Sequence, residues 1–263
     1  MEVHHHAHPG KKNFKQYFLE FLMIFLAVTM GFFAEQVRER FAEKTKEKEY
    51  MLEIIENLKY DTTRCANNIR VNVDMQQGLD SLKMELKNAV NGRVNANALY
   101  YYTLKYTVNF GQVVFNTSAI NELKNSGSLR LIEKRRLLGE ISDYYERNIF
   151  AAQYYMPSVN HMAELRKTQN EFFSLVSLDD YVQAYDHISD KTYDITYDYQ
   201  SILNRVPALQ LLNTHPADLE KLYTLVSQHQ MDLARYKFWI LYCNKVAEKL
   251  ISDIQKAYHL KNQ

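Results

Sequence analysis

His161 and Glu164 stand one helical turn apart in a helix-forming stretch, the spacing at which an imidazole and a carboxylate on one face can share a metal ion. A carboxylate-bridged centre needs that motif twice, and the sequence holds it once. Solvated or core side chains are the ordinary reading. The N-terminal cluster His4, His5, His6 and His8 is a second metal candidate, since several imidazoles on one short tract bind divalent metals weakly whether or not biology uses them. His229 falls on an apolar helical seam, where a satisfied core histidine is expected, with a ligand or a pH switch as the alternatives. Cys65 and Cys243 are too few for a disulfide framework and lack metal-ligand spacing. Both fall on apolar seams, where a free thiol acts as a small hydrophobe; a disulfide between them is the alternative in an oxidising compartment. Among the 20 tyrosines, the cluster Tyr100, Tyr101, Tyr102 and Tyr106 could line a ligand groove, but more often fills core and interface. No phosphate-binding glycine loop, dinucleotide fingerprint, nucleophile elbow or HExxH helix occurs. The expectation is a non-enzyme with no catalytic residue, no cofactor-binding residue and no cofactor.

The elements that must carry these residues are helices. Seven Gly and four Pro, with no glycine after Gly139, cannot supply the turns of an all-β fold. An all-α architecture follows, with one N-terminal transmembrane helix continuing into an elongated helical bundle. The 32 Lys and Arg balance 31 Asp and Glu, so no global field draws the chain to nucleic acid, which is excluded as a partner class.

From Tyr17 to Ala34 the only charge is Glu20. At about 1.5 Å per residue this run nearly covers the hydrocarbon core of a bilayer, the first expected partner. A cleaved signal peptide is the competing reading, given Lys11, Lys12 and Lys15; bulky Phe32 and Phe33 at the would-be cleavage site argue for an uncleaved anchor. Orientation is balanced between that basic tail and Arg38, Arg40, Lys44, Lys46 and Lys48 beyond the span. These alternate with five glutamates and are expected to pair, as Arg40 with Glu43 and Lys46 with Glu49. The expectation is therefore a single-pass protein of the inner (cytoplasmic) membrane, N-terminus cytoplasmic and domain periplasmic. Glu20, Ala27, Gly31 and Ala34 share one face of the span, a small-residue surface for helix association, with Glu20 either hydrogen-bonding across it or snorkelling to the headgroups.

The chain divides into a His-rich basic tail (1–16), the transmembrane helix (17–34) and a helical domain (35–263). Within the last, a long juxtamembrane helix spans 35–90, middle helices 97–212 and a C-terminal helix 215–260. No Pro or Gly separates anchor from juxtamembrane helix, so the two should form one rod. Met51, Ile55, Leu58, Thr62, Cys65, Ile69, Asn72, Gln76, Leu79, Lys83 and Leu86 keep 4-3 spacing, as a partner seam or, more commonly, a core face. Gly127 should take a left-handed conformation after a short helix capped by Asn116, Thr117 or Ser118. One helix should run from Leu131 past Tyr155 to Pro157, and Thr214 or His215 should cap the last. Residues 178–212 read as helix and loop.

The segment HHHAHPGKKNFKQYFLEFLMIFLAVTMGFFAEQVRER, the helix KEKEYMLEIIENLKYD and the turn NELKNSGSLRLI resemble an uncharacterised family of N-terminally anchored membrane proteins found mainly in Bacteroidota. The resemblance implies a bacterial inner-membrane location and carries no catalytic residue to any position. Together these readings point to a membrane-anchored scaffold or protein-interaction module, homo-oligomeric and serving a partner protein that the sequence does not identify. A ligand- or stress-sensing bundle acting through a separate partner is the alternative, and a metal-dependent enzyme using His161 and Glu164 the third.

Overall fold

The computed structural model describes residues 13–107, 111–157, 159–174, 176 and 209–260. The fold is all-α. Helix α1 (Phe14–Val90) is 77 residues long, about 115 Å of continuous helix. It starts where the Gln16 side chain accepts the Asn13 N–H at 3.0 Å. It stops at Asn91 and Gly92, whose φ of 79° ends the helical path. The uninterrupted rod expected from the sequence is present.

The rod has two different halves. From residue 13 to residue 46 none of its residues is buried, whereas from Glu47 onward one face is covered. The cover is chiefly α7 (Pro216–Ala257), 42 residues long and antiparallel to α1. Tyr258 Oη donates to Glu47 at 2.6 Å at one end, and further along Gln76 and Gln230 each donate a side-chain amide to the other's backbone carbonyl at 3.1 Å. Met51, Leu58, Cys65, Asn72, Leu79 and Leu86 of the 4-3 seam are buried inside the chain. That stretch of the rod is core face, not a free surface for a second copy.

Shorter helices close the groove. Helix α2 (Ala96–Tyr106) folds back on α1 after Asn95, whose side chain accepts the Ala98 N–H. Helix α3 (Ser118–Asn125) ends before Gly127, left-handed at φ 68° as expected. Its N-cap residue is Thr117, without a side-chain cap bond; Asn116 Oδ1 instead accepts the Ser118 N–H. The single helix expected from Leu131 onward is segmented into a 3-10 turn (Ser128–Leu131), α4 (Arg135–Asp143), a π turn (Tyr144–Asn148) and α5 (Ile149–Tyr154). The wider π turn brings both Tyr144 and Tyr145 into the core. Helix α6 (Val159–Gln169) follows Pro157. His215 is the N-cap residue of α7 but makes no cap bond; Asn213 braces the turn by accepting the His215 N–H and donating to Asp218. On the arm Arg38 pairs with Glu35 and Lys46 lies over the Tyr50 ring, in place of the expected Arg40–Glu43 and Lys46–Glu49 pairs. The N-terminal tail and most of 178–212 lie outside the described residues.

Gly78 of α1 lies against the Tyr106 ring of α2: a Cβ there would sit 2.3 Å from it. Gly78→Ala should therefore destabilise the detergent-solubilised protein by about 1–3 kcal/mol, as overpacking does. Gly139→Ala on α4, with nothing within 4 Å of the new Cβ, should stabilise it by about 0.4–1 kcal/mol through the unfolded chain. Denaturation midpoints moving in the same direction would refute this packing.

Candidate functional site

Among the described residues the bundle has two apolar clusters. One gathers Met51, Ile54, Leu58, Ile120, Ile141, Tyr144, Ile240 and Leu250 with their neighbours. The other gathers Leu79, Leu82, Leu86, Leu99, Tyr100, Leu165, Phe172, Leu222 and Val226. Polar side chains occupy the helix positions between them. Asn72, fully inside, donates to the Leu233 carbonyl at 3.3 Å; Asn68 donates to the Gly111 carbonyl; Gln169 donates to Thr107 Oγ1 at 2.7 Å. His229 is fully buried here and its ring stacks on His161 with centroids 6.4 Å apart. Both ring nitrogens of His229, Nε2 of His161 and the amide oxygens of Asn68 and Asn72 are buried with no protein partner. His229 is thus a core histidine, but not the satisfied one expected. Burial, with His161 as a lesser cause, pushes its imidazole down to about 4, so it is neutral.

The second buried polar feature lies within the first apolar cluster. Asp61 is fully buried and accepts the Asn116 N–H at 2.7 Å on one carboxylate oxygen and the Tyr144 hydroxyl at 2.9 Å on the other. It therefore ties α1 to the segment before α3 and to the π turn. Both donors are neutral, and burial outweighs them, lifting the carboxyl from 3.8 to about 6. Nearby, Cys65 and Cys243 are free, buried and raised to about 12 by burial. They are inert thiols of the core, with Cys243 Sγ donating to the Asn148 carbonyl at 3.4 Å. Asp61 is not among the residues expected from the sequence; the pattern Ile54, Leu58, Asp61, Cys65, which puts a carboxylate on an apolar stripe, is the signal that could have found it.

The other expected residues distribute as follows. His161 turns onto His229 while Glu164 is exposed, so they do not converge on a metal, and among the described residues no three metal-ligating side chains come together. His4, His5, His6 and His8 lie outside the described residues. Tyr100 and Tyr106 are buried, the ordinary reading of the tyrosine cluster; the Tyr100 hydroxyl accepts the Ser174 N–H and donates to the Gln210 carbonyl. Glu20, Ala27, Gly31 and Ala34 stand on the uncovered arm, with nothing within 4 Å of a Cβ built on Gly31. The 14–90 helix contains one stretch long and apolar enough to cross a membrane, none of it buried.

A surface that the sequence did not announce runs along α5 and α7. Tyr155 stacks on Trp239 at 5.5 Å and 11°, Trp239 meets Phe238 and Tyr242 edge-on, and Tyr154 bridges Tyr155 and Phe150. Phe150, Tyr154 and Phe238 are each more than 60 % exposed, at 64, 71 and 61 %. These six residues come from segments about 90 residues apart, and their periodicity within each helix is unremarkable, so nothing in the sequence joins them.

No family model, curated protein or solved structure matches this chain.

Asp61 and His229 have opposite linkage over one pH window. Asp61 is raised above its unfolded value, so its contribution to stability is greatest at low pH and declines as pH rises from about 4 to about 6. His229 is depressed below its unfolded value, so its contribution is lost as pH falls from about 6.5 to about 4. In the wild type the two nearly cancel. Asp61→Asn should leave a protein whose melting temperature falls on acidification from pH 6.5 to pH 4 more steeply than wild type. His229→Leu should leave one whose melting temperature rises relative to wild type over the same interval. Parallel pH profiles for all three proteins would contradict the assignments.

Proposed function

We propose that the protein is a membrane-anchored, self-associating helical scaffold that holds a protein-interaction surface at a fixed distance from the bilayer and catalyses no reaction. The observation that carries this reading is the unbroken α1, which forms both the exposed apolar arm and one wall of the bundle. A helix with no Pro and no hinge transmits position and orientation, which is what a scaffold requires. The span is taken as residues 17–34, with the N-terminus cytoplasmic and the bundle in the periplasm.

The aromatic surface of Phe150, Tyr155, Phe238, Trp239 and Tyr242 is the candidate contact for a partner protein. Aromatic residues dominate interface hot spots, and an exposed apolar patch of this kind marks an interaction site. Its groove, about 590 Å³ and edged by Glu146 and Arg147, lies one turn of α7 from Cys243, which neighbours Cys65. That level is about 45 Å along α1 from Ala34, too far from a bilayer for a lipid contact while α1 stands near the membrane normal. Sensing is the second reading, favoured by the buried His229 and Asp61, whose charge states bear on α1 packing.

Three results test this. The protein should stay in the membrane pellet after alkaline carbonate washing; release to the supernatant defeats the anchor. Reporter fusions after Leu260 should be active only outside the cytoplasm. In mild detergent, one partner should be recovered in constant proportion to the protein, and Trp239→Ala should weaken it by at least about 30-fold, the loss of a hot-spot aromatic. A small molecule that co-purifies and raises the melting temperature would favour sensing instead.

A further inference from the structure

Resting on the anchored, self-associating reading, we propose that two copies meet in parallel and in register along one heptad seam that leaves the span and climbs the exposed arm as far as Leu52. Reading 7-residue repeats along α1, Ile24, Gly31, Arg38, Thr45 and Leu52 take one seam position, and Glu20, Ala27, Ala34, Phe41 and Lys48 the other. The small residues lie in the span, where they allow close helix approach. The apolar anchors lie beyond it: Phe41 is 70 % exposed and Leu52 42 % exposed, although both belong to a soluble stretch with a folded core to hand.

Charge selects the occupant. In a parallel pair, the residue flanking one seam position faces the residue five further on in the partner helix. That rule sets Lys44 of each copy against Glu49 of the other, giving two Lys–Glu ion pairs, and among the described residues no salt bridge engages either side chain. Of the cations on the seam itself, Arg38 is already neutralised by Glu35, and Lys48, near the seam's end, can turn its ammonium outward on a long flexible stem. An antiparallel pair would lose these contacts and cannot form between copies inserted the same way.

The bundle leaves this face open at Phe41 and Thr45, while Lys48 and Leu52 edge a groove shared with Gln255, His259 and Leu260. At about 100° per residue, Phe41, Thr45, Lys48 and Leu52 lie about 120° around α1 from the residues that pack into the core, Glu47, Met51, Ile54 and Leu58. Two arms can therefore close while the bundles point outward. The seam ends where Ile55 turns into its own core and Glu53, its carboxyl raised first by burial and then by Glu122, Glu56 and Glu49, stands among like charges. Beyond Leu52 a second copy would meet like charge.

Full-length protein in native membranes tests this by disulfide cross-linking, since Cys65 and Cys243 are buried. Thr45→Cys sits on the seam; Glu43→Cys is about 160° around the helix. Mild oxidation should give at least about fivefold more dimer from Thr45→Cys, whose Cα atoms come within disulfide reach. Lys44→Glu added to Thr45→Cys should cut that yield about three- to tenfold, and Glu49→Lys on top should restore it. Equal yields at 43 and 45, or no restoration, overturn the seam. Cross-linking of Ala27→Cys without Thr45→Cys would confine association to the span, overturning the seam while self-association stands. If neither cross-links and the detergent-solubilised protein is monomeric, self-association itself fails and the proposal with it.

Discussion

The pairing of α1 with α7 is the constraint on which the rest of the structure depends. Two helices of 77 and 42 residues, far apart in sequence, must align over some 60 Å, and the shorter described helices pack against one or the other of them. Apolar burial drives that alignment but is tolerant of register, because a slip by one heptad still opposes Leu to Leu. Directional contacts remove the tolerance. Glu47 receives both the Tyr258 hydroxyl at 2.6 Å and the Glu133 N–H at 2.8 Å, pinning the arm-proximal end. Gln76 and Gln230 reach across to each other's backbone, and Asn72 to Leu233, pinning the middle. A slipped register would strand these groups in the core, where an unsatisfied amide costs about 1–3 kcal/mol.

The same logic makes the polar layer expensive. Several of its atoms lack protein partners, so the layer specifies alignment at a cost in stability that an all-apolar core would avoid. His229 and Asp61 extend the pattern: one is buried as a neutral imidazole, the other as a carboxyl whose ionised form is held only by two neutral donors and is therefore made costly by burial. Their placement couples charge to helix packing, Asp61 through Asn116 and Tyr144 and His229 through α6.

Much of this was legible in the sequence. Scarce Gly and Pro, the 4-3 pattern from Met51 to Leu86 and the apolar seam that carries His229 and Cys243 were enough for an all-α bundle, because period and length determine a helix without tertiary help. Gly127 was legible for the same local reason, a backbone conformation that only glycine takes freely. What failed was decided at a distance. The π turn exists because Tyr144 reaches Asp61, 83 residues earlier in the chain, and local periodicity cannot register that. The arm pairs differ from the expected ones because Tyr50, itself fixed by packing near Ser128, offers Lys46 a ring. The aromatic surface is assembled from α5 and α7 by the fold, and Trp239 reads in isolation as one more apolar residue on a seam whose true core positions are Tyr236, Ile240 and Cys243.

The division of α1 into covered and uncovered halves also decides how bundle and arm can communicate. Helix α7 ends at Ala257, beside Glu47, so of the described helices only α1 continues past that level. A change in the packing of Asp61 or Asn72 therefore has one covalent route to the arm, along a helix with no proline and with Gly31 as its only glycine before the bundle. Such a helix resists bending, and a shift at its base is expressed as rotation or tilt of the whole arm. Two arms held along a shared seam would resist that rotation jointly, which makes pairing of the arms a brake on any signal the bundle generates and a source of rigidity for a scaffold that generates none.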